Sequence, residues 1–579
     1  MKKEQCSHDH GAVQNAKSSI SCSEAAVGTG SAALSVSAEA GSSGREAADS
    51  NREAGTNTGS VTASDVADPQ NNDGMQTDAA SSGGKGNARS KSGAKAGSKS
   101  GRSRSKNRSA GKKNLKSSKK NKNQKNEEKS STTFDLLSLI GQASKELNLS
   151  QDAVLALAAQ PAFPEFFSGV TDFRCASRIQ YPLANILLMV LFALLAVHRC
   201  SFHGIATYID VNRAKFIELK LLKDDGKVPS HDVLRWIFMN LDSSNLNAAV
   251  IFVKFLEFFN FISEAMKNPD IKRHLVASGD GKVMRGTGRG KETKQHRKAL
   301  NMMNIYLTGF HLCLLSIPVL KKASGNAEGE AEMDPEDRKK TNEIPVLQDV
   351  MKSFRNLFTK GMIFTADALH CQTETINLIV NTLHIDYLLC AKSNQKVLFQ
   401  AITDTINANM SDITVIRKKD ILFQLYRIPA WMDTHGFAGA HYFVRAYSNR
   451  HSRRKTSERL YISSLSNPEA VIDAIEARWK IEDDFHRSKD LVFLEDSFTC
   501  TNITAADNMC IMINIAYAVL CLFRAVMQSP TQDYAVQDIC RDPISALNVV
   551  ATVLDSESLK DDLKKMIGVI SRRRQSVRA

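Results

Sequence analysis

The spacing of apolar positions changes along the chain, and those changes divide it. Up to about residue 133 large apolar side chains are almost absent, and Ser, Gly, Ala, Asn and Lys dominate. Such a segment buries too little surface to offset chain entropy and is expected to be disordered. From 134 to 268 the apolar residues fall at helical spacing. FDLLSLIGQASKELNLSQDAVLALAAQ predicts two short helices and YPLANILLMVLFALLAVHRC a buried one. VPSHDVLRWIF predicts a helix starting at His231 with Ser230 as its cap, and another begins near Ser244. Residues 134–268 therefore read as an all-helical domain.

At His274 the period shortens to that of strands. HLVASGD is a strand ending at Asp280, and MNIYLTGFHLCLLSIPVL holds two strands divided near Phe310–Leu312. IPVLQDVMKSFRNLF is an amphipathic helix, GMIFTADALH a strand ending at Asp367, CQTETINLIVNTLH a helix, and DYLLCAKSNQ a strand ending near Lys392. This alternation predicts an α/β layer with a mixed sheet. Residues 400–467 carry four strand-like runs and read as a β-rich insertion or sheet extension. A helix follows Asn467-Pro468, where Pro suits a first helical position. AADNMCIMINIAYAVLCLFRAVM then predicts a buried helix, and 526–579 a helical C-terminal extension.

Charge changes the picture only at the front. The formal net charge of +14 is concentrated between Lys85 and Asn126, which hold 16 Lys or Arg and no Asp or Glu. A polycation of this kind binds nucleic acid phosphates in a salt-sensitive way; its bland reading is a solubilising tail. The longest apolar run, Ile186 to Val197, has 12 residues, short of the ~20 that span a bilayer, so no membrane segment is expected. Eleven cysteines without a CxxC pair, and no signal peptide, read as reduced thiols in a cytosolic protein.

The candidate chemistry lies in IEARWKIEDDFHRSKDLVFLED, residues 475–496. Read as one α-helix, it sets Arg478, Glu482, His486 and Lys489 within a face roughly 80° wide. A carboxylate among cations suits a metal ion held near a phosphate, although a solvated face with i,i+4 ion pairs has the same pattern. Asp280 and Asp367 both end short apolar strands, where open α/β sheets place their ligands. Together with Glu482 they make three acids of the kind that two-metal phosphodiester chemistry requires. Glu495 and Asp496 compete with Glu482 for the third place.

SGDGKVMRGT, KTNEIPVL, FTADALHCQ, DYLLCAKSNQ, YISSL and RWKIEDDFHRSKDLVFLED resemble, in order, the blocks of the ISAs-type (H-repeat-associated) insertion-sequence transposases of the DDE superfamily. The likeness spans about 160–525, with YPLANILLMVLFALLA and VPSHDVLRWIF resembling the family's N-terminal domain. It implies an RNase H-like mixed sheet with flanking helices and a β-rich insertion (catalytic domain 270–525, insertion 400–467), preceded by the helical domain and the disordered basic tail. It further implies that Asp280, Asp367 and Glu482 bind two Mg²⁺ ions, for which Mn²⁺ can substitute. Lys282, Arg285, Arg478 and Lys489 then become phosphate contacts, and His370 and His486 assisting groups. Ile475 stands where a related signature has Tyr. The implied activity is cleavage at element ends and strand transfer into target DNA, by a homodimer or larger assembly, in the bacterial cytoplasm at the nucleoid. Two rivals are a non-catalytic DNA-binding derivative and a metal-dependent DNA nuclease.

Overall fold

The computed structural model describes residues 135–196, 200–266, 275–288, 299–320, 343–393, 395–408, 412–429, 434, 436–448 and 458–576. The tail expected to be disordered, its basic stretch, the polar loop at 322–338 and the basic turn at 449–457 lie outside the described residues.

Strand-forming runs of branched and aromatic residues assemble into one nine-stranded mixed sheet, in the order β3-β2-β1-β4-β5-β9-β8-β7-β6. The strands are β1 (Val276–Met284), β2 (Leu300–Leu307), β3 (Leu312–Pro318), β4 (Ile363–Ala366), β5 (Asp386–Ala391), β6 (Ile413–Lys418), β7 (Ile421–Arg427), β8 (Tyr442–Ser448) and β9 (Glu458–Ser463). β1, β4 and β5 run parallel, and every other pairing is antiparallel. The β-rich segment is thus a sheet extension, joined to the rest through β5 and β9. β1 does not end at Asp280 as its apolar run suggested. Pairing with β2 carries it on to Met284↔Leu300, while pairing with β4 stops at Gly279↔Ala366.

The two faces of the sheet are covered differently. The helix Pro468–Lys480, capped by the Asn467 side chain, packs Val471, Ala474 and Ile475 onto Val276, Ile363 and Leu388. On that face Ser278 and Thr365 face each other across β1 and β4, their hydroxyls 3.0 Å apart. On the opposite face the helix Glu343–Ser353 brings Leu347 over Gly279. A Cβ at Gly279 would stand 2.8 Å from the Phe364 ring and 3.4 Å from Leu347 Cδ1, so the close packing of this helix requires glycine.

The helices before and after the sheet share a single core rather than forming separate bodies. At its centre lies Ile503–Val526, a 24-residue helix that is buried along nearly its whole length. Asn508 donates to the carbonyls of Phe238 (3.0 Å) and Leu241 (2.9 Å), and Asn514 donates to Ser316 Oγ (2.8 Å). The first helix, Leu136–Glu146, packs against both Ile503–Val526 and the last helix, Glu557–Ser576. Arg573 closes that contact on Glu146 at 2.9 Å. Ser230 caps His231–Asn240 as expected, accepting from the Val233 amide. By length and composition Ile503–Val526 and Ser243–Ser263 are apolar enough to cross a membrane. In the first, 83% of the apolar window is buried inside the fold, which accounts for its apolarity as core.

Candidate active site

Sheet register brings the first two acids together. Gly279↔Ala366 is the last parallel pair, so Asp280 and Asp367 are the next residues on strands roughly 4.8 Å apart. Both follow the alternation of Ser278 and Thr365 and belong to the face covered by Pro468–Lys480. The third acid reaches them from that helix. Its α-helical pattern stops at Lys480, and Ile481–His486 form a π-helical turn before Arg487–Leu491 resumes. Turns of this kind insert a wider i→i+5 step into a helix and are frequent at functional sites. Glu482 stands on the turn's first part and His486 at its end.

Arg478 ties the acids together. Its guanidinium is 3.0 Å from Glu482 Oε1 and 3.8 Å from Asp367 Oδ1, with only 9% of the side chain exposed. Its Nε is buried and makes no hydrogen bond. Burial pushes the Asp280 carboxyl up to about 7; Arg478 opposes this, while Glu482, Asp367 and Glu343 add to it as neighbouring negative charges. Asp367 behaves differently. Burial alone would raise it, but the Ala368 amide, Lys392 and Arg478 outweigh burial and hold it below the usual value. Lys392 Nζ lies 3.1 Å from Asp367 Oδ2. His486 Nδ1 is 3.5 Å from Asp280 Oδ2; burial, with Lys489 and Lys282 nearby, keeps the ring neutral. His370 is buried beside Asp367, and burial lowers its pKa to about 4.

Two of the expected phosphate contacts are placed otherwise. Lys489 is fully buried, 2.6 Å from the equally buried Glu495 and 3.1 Å from Cys510 Sγ, so it is a structural cation. The wider π-helical step turns it off the face that uniform helical spacing gave it. Lys282 is also engaged, 2.7 Å from Asp490 and 3.8 Å from Glu495, with 10% exposure. This pairing removes Glu495 from competition with Glu482. Arg285 is 81% exposed and only loosely paired with Asp496, at 3.7 Å. Other basic residues, which the sequence did not single out, stand near the acids. A cleft of about 690 Å³ opens beside Asp367 and Glu482, and Lys392, Arg445 and Arg459 line it together with Tyr461. Arg445 and Arg459 carried one available signal, as basic residues inside otherwise apolar strand runs.

Among the described residues no group of three His, Cys, Asp or Glu side chains is gathered closely enough to hold a metal ion. The donor chemistry nevertheless fits a hard divalent cation, because all three acids offer carboxylate oxygens. The positive charge those oxygens need is at present supplied by Arg478.

Residues 332–519 match the family described as "Transposase DDE domain", and residues 164–253 the one described as "DDE_Tnp_1-associated". The chain belongs to the DDE-superfamily insertion-sequence transposases. More particularly, it is 22% identical to the Escherichia coli "H repeat-associated putative transposase YhhI" over 367 residues, 59% of this chain and 86% of the relative. Identity to the E. coli protein YbfL is 23% over the same lengths and shares. Among solved structures, a piggyBac transposase synaptic complex with hairpin DNA aligns with 76% of this chain and 85% of its own, at 12% identity. The TM-score of that alignment is 0.30.

Proposed function

We propose that this chain is a DDE-type DNA transposase, which cuts the 3′ ends of its element and joins each freed 3′-OH to target DNA. What supports the reading is Arg478, 3.0 Å from Glu482 Oε1 and 3.8 Å from Asp367 Oδ1, with Asp280 the next residue after the last β1–β4 pair. An RNase H-like core is supported by the strand order β3-β2-β1-β4-β5, with β2 and β3 antiparallel to their neighbours and β4 and β5 parallel to β1.

Asp280, Asp367 and Glu482 would hold two Mg²⁺ ions, or Mn²⁺ in their place. Bound there, the metal would neutralise charge on the attacking and leaving oxygens and lower the pKa of water. The chain's own residues do the rest. Arg478 pairs with Glu482 and lies near Asp367, and its guanidinium would be available to a phosphate if those carboxylates held a cation. Lys392, Arg445 and Arg459 line a cleft whose charge suits the sugar–phosphate backbone. Neutral His486 orients the Asp280 carboxyl through Nδ1. Two element ends must be held at once, so the working form is a dimer or larger.

The test uses the purified chain and a labelled duplex carrying the DNA that borders its gene. With Mg²⁺ or Mn²⁺ the protein is expected to give site-specific 3′ nicks and joined products, both lost in Asp367→Asn. Binding without cation-dependent cleavage would leave a DNA-binding derivative. Cleavage without joining would leave a nuclease.

A further inference from the structure

Gln395 stands just before the helix Lys396–Asn407, at the position where a side chain usually accepts from the first helical amides. Its side chain makes no such bond. Instead Nε2 donates to the carbonyls of Ala368 (2.7 Å) and Cys371 (2.6 Å), 27 and 24 residues earlier in the chain. Oε1 accepts from the Lys392 amide at 3.2 Å, and the Gln395 amide donates to the Lys392 carbonyl at 3.0 Å. The chemistry fixes which way the side-chain amide points. Turned over, its oxygen would face two carbonyl oxygens and its NH₂ would face the Lys392 N–H.

Both ends of that amide finish beside Asp367. Asp367 opens the 3₁₀ turn Ala368–His370, in which His370 donates to the Asp367 carbonyl at 3.0 Å and Cys371 to that of Ala368 at 3.3 Å. On the other side, Lys392 Nζ lies 3.1 Å from Asp367 Oδ2. The sheet itself does not hold this point. The β4 ladders end at Gly279↔Ala366 and Ala366↔Leu389, so Asp367 lies past the last pair on both sides. We infer that Gln395 is a positioning residue of the candidate active site, its one amide locking the turn that carries Asp367 to the strand end that carries Lys392. It thereby sets where the Asp367 carboxylate stands; the consequence for cleavage rests on the transposase reading. The bland alternative is a residue that only starts the helix Lys396–Asn407. Ser, Asp or Asn would do that better by accepting from the helix's own amides, and none needs to reach two distant carbonyls.

The experiment joins deuterium exchange, read by mass spectrometry, to single-turnover cleavage of the border duplex, both on the full chain. Gln395→Met keeps the length of the side chain and removes its donations. The His370 and Cys371 amides, which do not touch Gln395, are expected to exchange about 10-fold faster, while those of β4 stay as they are. The cleavage rate constant is expected to fall about 10- to 100-fold, with affinity for the duplex unchanged. Gln395→Glu, whose carboxylate would meet two carbonyl oxygens, should act in the same direction and replaces the first variant if that does not fold. Exchange at His370 and Cys371 unchanged in either folded variant would overturn the positioning role and leave the transposase reading standing. Undiminished cleavage, where Asp367→Asn abolishes it, would overturn the role as well. A wild-type chain that does not cleave would overturn the transposase reading, and exchange at the turn would still decide whether Gln395 holds it.

Discussion

Asp507 lies in the first turns of Ile503–Val526, with Oδ1 buried and unpartnered, and burial pushes its carboxyl up to about 6. A raised carboxyl stabilises the fold fully below its unfolded pKa, near 3.8, and that contribution is lost as pH rises through 6. Asp507→Asn is therefore expected to be more stable than wild type at pH 7.5, by about 2–3 kcal/mol, with the difference vanishing near pH 3.5. Urea unfolding at the two pH values measures it. Equal gains at both would mean that ionisation is not the cause. The same scale shows what a bare sequence conveys about charged residues. The neighbouring positions of Asp280 and Asp367 were legible because both strands could be read, although β1 runs on past Asp280 to Met284. Lys489 and Glu495 were not legible, because complete burial is a property of the packed core around Cys510. Glu343 opens an amphipathic helix, and only its hydrogen bond from Asn301 and its approach to Gly281 show which way it faces.

The segment 475–496 contains no Gly or Pro, and uniform α-helix was the natural expectation. The π-helical turn Ile481–His486 breaks it, and composition carries no sign of that break. Its effect is to keep Glu482 and His486 at the acids while Lys489 turns into the core. Removing Asp483, an exposed residue of the turn, would restore α-helical spacing. Such a deletion is expected to lower cleavage by at least about 100-fold, the size of loss that a ~1 Å misplacement produces, with DNA binding retained in a gel-shift assay. Undiminished cleavage would show that the turn does not position Glu482. The strands fared better than this helix. β2 and β3 lie on either side of residues 308–311 as expected, since branched and aromatic runs bounded by a turn leave little choice. Sheet order, by contrast, depends on crossovers that no local pattern specifies.

At the scale of the whole molecule, the net positive charge comes mainly from residues 85–126, which hold 16 Lys or Arg and no Asp or Glu. Deleting that stretch is expected to weaken binding to any duplex and to flatten the dependence of log K on log salt by several units, since each neutralised phosphate contributes about 0.9. The positions of cleavage should stay the same; a change would assign the stretch a role in choosing sites. The body itself was expected to be a helical domain, a catalytic domain and an extension in series. In the structure the first helix lies on the last. Arg573 and Glu146 meet across 427 residues of sequence. Contacts of such separation form late, so a ribosome must finish the final helix before the first finds its partner. A gene copy interrupted by a stop codon before residue 557 would leave Leu136, Leu139 and Ile140 without part of their cover. Decayed copies of the element should then yield protease substrates rather than inhibitory fragments that occupy its ends.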